Sequence, residues 1–207
     1  MNARAERPAD GGEGRLAEIL WASPLLDTLF RRWPDIGLPD GWLSGSAITQ
    51  AVWNAAFGFP QNHGLADLDL VYFDPDDLTE AREVARGAQV RALFPDLPIW
   101  IDAKNEARVH LWYERTFGSA IEPYRSIGEA ISTFPTTAAA VAVRPGAAGL
   151  EIFAPFGLSD LLACIVRANR TQITQALYDR KIARWRELWP DLSIIAWDDG
   201  PVVSRSR

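Results

Sequence analysis

The sequence predicts an α+β or α/β fold, in which a small mixed sheet is flanked by helices and followed by a helical C-terminal part. Short apolar strands alternate with amphipathic helical segments up to residue 153, a pattern typical of helices packed on a sheet. Beyond residue 158 the apolar residues recur mainly at helical spacing. The 207 residues are 48% hydrophobic and 23% charged, which is an ordinary globular composition for one domain with small extensions.

The N-terminal part is predicted to be a tail followed by helices. Residues 1–14 are polar, rich in glycine and alanine, and lack periodic apolar residues, so we expect a disordered tail. Residues 16–33 show helical spacing, and Pro24 begins a second helical piece. Residues 40–44 read as a strand that leads into Gly45-Ser46, with Ser46 as the N-cap of the next helix. The apolar stripe of that helix consists of Ile48, Val52, Ala55 and Phe59.

The middle of the chain is predicted to alternate between strands and helices. Residues 58–66 form a loop by their glycine and proline content, and residues 67–72 alternate as a strand does. Asp74-Pro75 has the pattern of a helix start. Residues 98–102 are a second short strand, and residues 103–112 are compatible with a helix.

The C-terminal part is predicted to contain a hairpin and two helices. The hairpin strands are residues 138–144 and 149–153, joined by a turn at Pro145-Gly146. The helices are residues 158–166 and 171–189. We therefore expect one domain over residues 15–198 and a short tail at 199–207.

Charge and composition exclude several classes of protein. The chain has 21 basic and 27 acidic side chains, a net charge of −6, which disfavours indiscriminate binding to DNA or RNA. The single cysteine, Cys164, cannot form an internal disulfide, and no leader of the secretory kind opens the sequence. The apolar stretches are shorter than the roughly 20 residues that a membrane helix needs. We expect a cytoplasmic protein without membrane contact.

Three aspartates follow a pattern that predicts a metal site. Asp67 and Asp69 open one strand, and Asp102 ends a later one. Residues two apart in a strand point the same way, about 6.6 Å apart at the backbone, so this pair can converge on a cation. Mg²⁺ prefers hard oxygen ligands and is typically held by one or two carboxylates together with substrate phosphates. Without a cation these carboxylates would repel one another.

The turn at Gly45-Ser46 predicts an anion site. Glycine lets the backbone approach a ligand, and the helix that follows offers free N–H groups and the positive end of its dipole. Each feature also has a simpler interpretation, because Gly-Ser before a helix is often only a cap. Asp67 could end a turn, and Asp102 could cap the segment that follows it.

Several polar side chains are further candidates for substrate contact. Lys104 and Asn105 are the preferred pair, because they follow Asp102 most closely. Arg108 and His110 come next on the same segment, whose alternative interpretation is a solvated helix face. His63 lies in the loop before Asp67, where a residue without a role is the simpler interpretation.

The basic segment at residues 180–186 has two possible interpretations, a substrate-binding face and a solvent face. Arg180 and Arg184 share a helix face and are accompanied by Lys181 and Arg186. This face could receive a triphosphate or an RNA acceptor. Asp179 and Glu187 flank the segment, so a solvent face with salt bridges is the favoured interpretation.

The order of Gly45-Ser46, the aspartate pair and the later strand aspartate resembles the active-site pattern of the polymerase-beta-type nucleotidyltransferase superfamily. More specifically, the sequence resembles an uncharacterised family of bacterial nucleotidyltransferase-like proteins over about residues 40–192. Twenty residues separate Ser46 from Asp67, a longer gap than is usual in the superfamily. The segments that carry the resemblance are SGSAITQAVWN (44–54), DLDLVYFD (67–74), IDAKNEARVHLWY (101–113), APFGLSDLLACIVRANR (154–170) and WPDL (189–192).

The resemblance implies a fold, a reaction and roles for individual residues. Asp67 and Asp69 would be metal ligands, Asp102 the third carboxylate and candidate base, and Gly45-Ser46 the triphosphate-binding turn. The implied activity is a metal-dependent transfer of a nucleoside monophosphate from a nucleoside triphosphate, with Mg²⁺ or Mn²⁺, to a small molecule, an RNA or a protein. The alternative is a catalytically degenerate relative that binds a nucleotide or a partner. The presence of all three carboxylates favours the enzyme.

Overall fold

A five-stranded mixed sheet forms the centre of the fold in the computed structural model, which describes residues 11–199. The strand order is β3-β2-β1-β4-β5. β2 and β3 are parallel, and the other neighbours are antiparallel, so the predicted mixed sheet is confirmed. The strands are β1 (Trp42–Ser44), β2 (Asp67–Tyr72), β3 (Trp100–Asn105), β4 (Ala142–Gly146) and β5 (Gly149–Phe153).

Helices flank this sheet and dominate the C-terminal part. β6 (Ile165–Val166) and β7 (Ser193–Ile194) pair in parallel as a separate two-stranded sheet. Within residues 11–199, no helix has the length and apolar character that crossing a membrane requires. The helices are α1 (Gly11–Ala22), α2 (Pro24–Arg31), α3 (Trp33–Ile36), α4 (Ser46–Phe57), α5 (Glu80–Ala92), α6 (His110–Phe117), α7 (Ile127–Ile131), α8 (Ser159–Leu162) and α9 (Gln175–Leu188).

The two faces of the sheet have different partners. Side chains alternate along each strand, so Leu68 and Leu70 of β2 point to the main core, which includes residues of α1, α2, α4 and α9. The opposite face carries a smaller apolar cluster that α7 contributes to. Asp67 and Asp69 alternate with those leucines and therefore belong to this second face. The members of the smaller cluster are Trp42, Val71, Ile127, Ile131 and Ala142.

Two predicted helix starts are wrong, each for its own reason. The helix expected at Asp74-Pro75 begins at Glu80, with the hydroxyl of Thr79 accepting a hydrogen bond from the third residue on. The helix expected from residue 103 begins at His110, because residues 103–105 continue β3 beside β2. The Asn105 amide bonds to the backbone N–H and C=O of Asp74 and so holds this loop in a non-helical path.

Further boundary differences lie at the N-terminus, in the hairpin and at α8. Residues 11–14, expected in the tail, belong to α1, and residues 1–10 and 200–207 lie outside the described residues. The first hairpin strand begins at Ala142, and both Pro145 and Gly146 pair within it, so the turn lies at residues 147–148. The helix expected over residues 158–166 is only the four-residue α8, since Cys164 has a positive φ of 55° and β6 follows.

Arg108 is part of a buried ion pair that we expect to be important for stability. Its Nη1 donates to Glu83 Oε1 over 2.7 Å, and both side chains are about nine-tenths buried. Replacing Arg108 with methionine would leave a buried carboxylate without its cation, which lowers the free energy of unfolding by about 3–5 kcal/mol. Urea denaturation measures this difference. Arg31→Met, which removes a solvent-exposed ion pair with Asp27, is the control and should change stability little.

Candidate active site

The sheet brings the three predicted aspartates to one face. Asp69 pairs with Asp102 across β2 and β3, and Ser44 of β1 pairs with Asp69 on the other side. These three residues therefore form a row across neighbouring strands, and Asp67 lies two residues before Asp69 on the same face. The register of β2 and β3 therefore brings Asp102 beside Asp69.

The carboxyl group of Asp69 has a raised pKa. Burial, followed by the negative charges of Asp67 and Asp102, raises the pKa of Asp69 to about 6. Lys181 and Lys104 act in the opposite direction, because their positive charges favour the ionised form. Neither Asp67 nor Asp69 has a hydrogen-bond or ion-pair partner within residues 11–199. Their oxygens are consequently free to bind a cation or a cationic group.

Asp102 differs from the other two because it already has polar partners. Its Oδ2 lies 3.3 Å from Lys104 Nζ, and its Oδ1 accepts a hydrogen bond from the backbone N–H of Ala103. Lys104 shares the face of Asp102, as residues two apart in a strand do. The structure thus places Lys104 at the site, beside the third carboxylate.

Asn105 is not brought to this site. It follows Lys104 on β3 and therefore points to the opposite face, where it is 1% exposed. Its amide bonds to backbone groups of Asp74, Asp77 and Ala107. The predicted pairing of Asn105 with Lys104 in substrate contact is corrected here, because Asn105 stabilises the loop between β2 and α5.

The turn at Gly45 lies next to Asp69. Gly45 has φ 70° and ψ −129°, a conformation that favours glycine, and a Cβ there would lie 3.8 Å from Asp69 Oδ2. Gly45 is itself the N-cap of α4, so the expectation that Ser46 caps this helix is wrong. Ser46 is the first helical residue, and its N–H is among those that α4 leaves without a helical partner.

Lys181 of α9 reaches this site from the far end of the chain. Its charge acts on both Asp67 and Asp69, and its Nζ lies 4.9 Å from the ring centre of Trp185. Burial lowers the pKa of Lys181, while the two aspartates counteract this effect. The sequence placed Lys181 only in a basic segment favoured as a solvent face. No local pattern shows that Lys181 lies near aspartates more than a hundred residues earlier in the sequence.

A cavity of about 500 Å³ lies between α6, residues 124–135 and α9. Its volume is within the range of sites that hold small molecules and cofactors. Two residues of its wall connect it to the aspartates: the charge of Lys181 acts on Asp67 and Asp69, and the ring of Phe134 would lie 3.9 Å from a Cβ at Gly45. The cavity was not predicted from the sequence, because its wall combines residues from three distant segments. Its wall includes Glu106, Tyr113, Phe117, Tyr124, Phe134, Gln172, Arg180, Lys181 and Arg184.

His63 and the long loop before β2 have a structural role. The His63 ring hydrogen-bonds through Nε2 with the carbonyl of Leu188 and stacks on Phe59, with 4.3 Å between ring centres. Asn54 donates to two loop carbonyls and accepts from the Trp189 indole. This network packs the loop onto the end of α9. It accommodates the long gap between Ser46 and Asp67 without displacing β1 from β2.

The donor set of this face fits a hard divalent cation. Asp67 and Asp69 present carboxylate oxygens, and Mg²⁺ commonly takes one or two protein carboxylates and completes its shell with water and phosphate oxygens. No group of three Asp, Glu, His or Cys side chains within residues 11–199 could hold a metal ion on its own. The three predicted aspartates are therefore not arranged as a metal site of three protein ligands, and a cation at Asp67 and Asp69 would need water or phosphate oxygens to complete its shell.

Comparisons with known proteins agree with this architecture. A family model described as Nucleotidyltransferase matches residues 31–194. An NMR structure described as revealing a CCA-adding enzyme head domain is similar, with a TM-score of 0.72 and 24% sequence identity over 88% of this chain and 95% of that chain. At that identity the likeness shows the fold. No functionally curated protein matches the sequence.

Proposed function

We propose a reaction for this chain, which belongs to the nucleotidyltransferase family whose model matches residues 31–194. In this reaction the protein, with a bound divalent metal ion, transfers a nucleoside monophosphate from a nucleoside triphosphate to a hydroxyl-bearing acceptor. The observation that carries this proposal is the row of Asp69 and Asp102, with Asp67 beside it, next to the Gly45 turn. Carboxylates beside an anion-binding turn suit a triphosphate with its cation. The acceptor is left open.

Asp67 and Asp69 would hold the cation, and Asp102 would join them when the acceptor is bound. Mg²⁺ or Mn²⁺ supplies charge neutralisation for the phosphates and for the attacking oxygen when bound. The free N–H groups at the start of α4 would donate to phosphate oxygens. Lys181 would neutralise a further part of the triphosphate charge from α9.

The reaction itself is a substitution at the α-phosphate. The acceptor oxygen forms a bond to the α-phosphorus, the bond between the α-phosphorus and the bridging oxygen breaks, and pyrophosphate leaves. Asp102 would accept the proton of the attacking hydroxyl. Lys104 Nζ lies 3.3 Å from Asp102 Oδ2 and would hold this carboxylate in place until the acceptor displaces it.

We expect Lys181→Met to raise the KM for the nucleoside triphosphate by about 10- to 100-fold, the value of a charge-assisted hydrogen bond. The substitution removes the cation near Asp67 and Asp69 and keeps the length of the side chain. Steady-state kinetics of pyrophosphate release measure the effect. The control is Arg186→Met, since Arg186 is exposed on the same helix and does not line the cavity. Equal effects of the two substitutions would contradict a phosphate-binding role of Lys181.

A further inference from the structure

The cavity wall contains a carboxyl group that the proposed transfer does not use. Glu106 follows β3 directly, lines the cavity and is 7% exposed. No group within residues 11–199 forms a hydrogen bond or ion pair with its side chain. A buried polar group without a partner destabilises the fold, so such a group is one that a ligand can satisfy.

The other polar groups of the aromatic side of the cavity are already bonded to one another. The Tyr124 hydroxyl lies 2.8 Å from Thr133 Oγ1 and accepts a hydrogen bond from Gln172 Nε2 over 2.7 Å. These three side chains therefore have partners without a ligand. In the described part of the chain, Glu106 differs from them because its carboxyl has none.

The cavity is also polarised in charge. Lys181 and its neighbours on α9, Arg180 and Arg184, line it from one side, and the charge of Lys181 acts on the aspartate pair. Aromatic side chains line it from α6 and from the segments on either side of α7. A ligand that is anionic at one end and flat and apolar at the other matches this arrangement, because aromatic rings stack on planar bases. The aromatic residues are Tyr113, Phe117, Tyr124 and Phe134.

We propose that this cavity binds the nucleobase of the nucleoside triphosphate and that Glu106 recognises the hydrogen-bonding edge of that base. The inference rests on the proposed function, since it places the base of the same substrate whose phosphates lie at the aspartates. It assigns a specificity-determining role to a residue outside the carboxylate row. The phosphates would face Lys181, and the base would stack among the aromatic rings.

The protonation state of Glu106 restricts which edge it can pair with. Burial, then the charges of Glu83 and Asp69, raise the pKa of Glu106 to about 8, against a smaller opposing effect of Lys104. At neutral pH the group is a carboxylic acid with one donor and one acceptor. It pairs with a base edge that carries a donor and an acceptor side by side, such as N1 and the amino group of adenine. The edge of guanine that presents two donors, N1–H and the 2-amino group, would instead require an ionised carboxylate.

The test separates the base from the phosphates. Binding of ATP, CTP, GTP and UTP is measured with Mg²⁺ beside binding of inorganic tripolyphosphate, which has the phosphates and no base. We expect the wild type to bind at least one nucleotide more tightly than tripolyphosphate. Glu106→Leu should weaken binding of that nucleotide by about 10- to 100-fold, the effect of losing a buried hydrogen-bonding partner, and leave tripolyphosphate binding unchanged.

Two further variants keep the test independent of folding. Glu106→Gln presents one donor and one acceptor without a titratable proton, so it should restore nucleotide binding that Glu106→Leu loses. Wild-type nucleotide binding should weaken as the pH rises through about 8, while that of Glu106→Gln should not. Glu114→Leu, on the exposed surface of α6 and outside the cavity wall, is the matched control.

The outcomes distinguish this inference from the proposed function. If the wild type binds tripolyphosphate as tightly as every nucleotide, or if Glu106→Leu weakens both probes equally, the base pocket is overturned while the phosphate site stands. If the wild type binds neither probe in the presence of Mg²⁺, the proposed function fails and this inference fails with it. Failure of Glu106→Gln to restore binding would overturn the assignment of Glu106 as the base-reading group.

Discussion

We expect Asp67→Ala and Asp69→Ala each to reduce nucleotidyl transfer by at least about a thousandfold. Both carboxylates would hold the cation that neutralises the phosphates, and removing charge stabilisation from phosphoryl transfer costs about 10³–10⁵ in rate where a single arginine supplies it. The measurement is transfer of label from α-³²P nucleoside triphosphates to acceptors of a bacterial extract, together with pyrophosphate release.

The fold should tolerate these substitutions. Asp69 is buried beside two like charges, so replacing it removes repulsion as well as a possible ligand. We expect the thermal unfolding midpoint of Asp69→Asn to be no lower than that of the wild type. Asp96→Asn, on the exposed turn before β3, is the control for activity and should leave it unchanged. Activity retained in both Asp67→Ala and Asp69→Ala would contradict the assignment of these carboxylates.

Glu106→Gln should stabilise the protein in a manner that depends on pH. The pKa of Glu106 is about 8 in the folded chain, against an ordinary value of 4.5. Between these values the unfolded chain ionises the group and the folded chain does not, so wild-type stability falls as the pH rises. The loss amounts to about 3 kcal/mol at pH 7, at about 1.4 kcal/mol for each pH unit. Glutamine does not titrate and avoids this loss.

The corresponding measurement is urea denaturation of wild type and Glu106→Gln from pH 4 to pH 9. The difference in the free energy of unfolding should be smallest below pH 4.5, grow through the interval up to about pH 8, and then stay constant. The groups whose charges act on Glu106 are Glu83, Asp69 and Lys104, and they are the same in both proteins. A difference that does not vary with pH would show that Glu106 is ionised in the folded chain.

The shared face of Asp67 and Asp69 could be predicted because side-chain alternation is a property of a single strand. The alternation of residues 67–72 is readable in the sequence, and it places Asp67 and Asp69 on one face. The same rule would have excluded Asn105, which is three residues after Asp102 and therefore on the other face of a continuing strand. The prediction of a helix over residues 103–112 concealed the opposite orientation of Asn105, because residues that are three positions apart on a helix lie close together.

The rest of the site depends on packing between distant segments. Lys181 acts on the aspartates only in the folded chain, where Tyr178 donates to the carbonyls of Val166 and Ile195 and Trp185 contacts Trp53 of α4. The helical periodicity does show Tyr178, Ile182 and Trp185 as a buried stripe. Periodicity identifies which side of α9 is buried but not which element it covers. Glu106 likewise follows a strand without any local sign of burial, and its environment arises where α6, α9 and residues 124–135 meet.

The metal-dependent nucleotide site at Asp67 and Asp69 is tested by a binding measurement. Each nucleoside triphosphate is offered to the wild type and to the double variant Asp67→Ala/Asp69→Ala, with Mg²⁺, with Mn²⁺ and with a chelator. We expect the wild type to bind at least one nucleotide with either metal, and the chelator to abolish this binding. The double variant should not bind under any of these conditions. Absence of binding by the wild type under every condition, or undiminished binding by the double variant, would contradict the metal-dependent site and favour a degenerate relative that binds a partner.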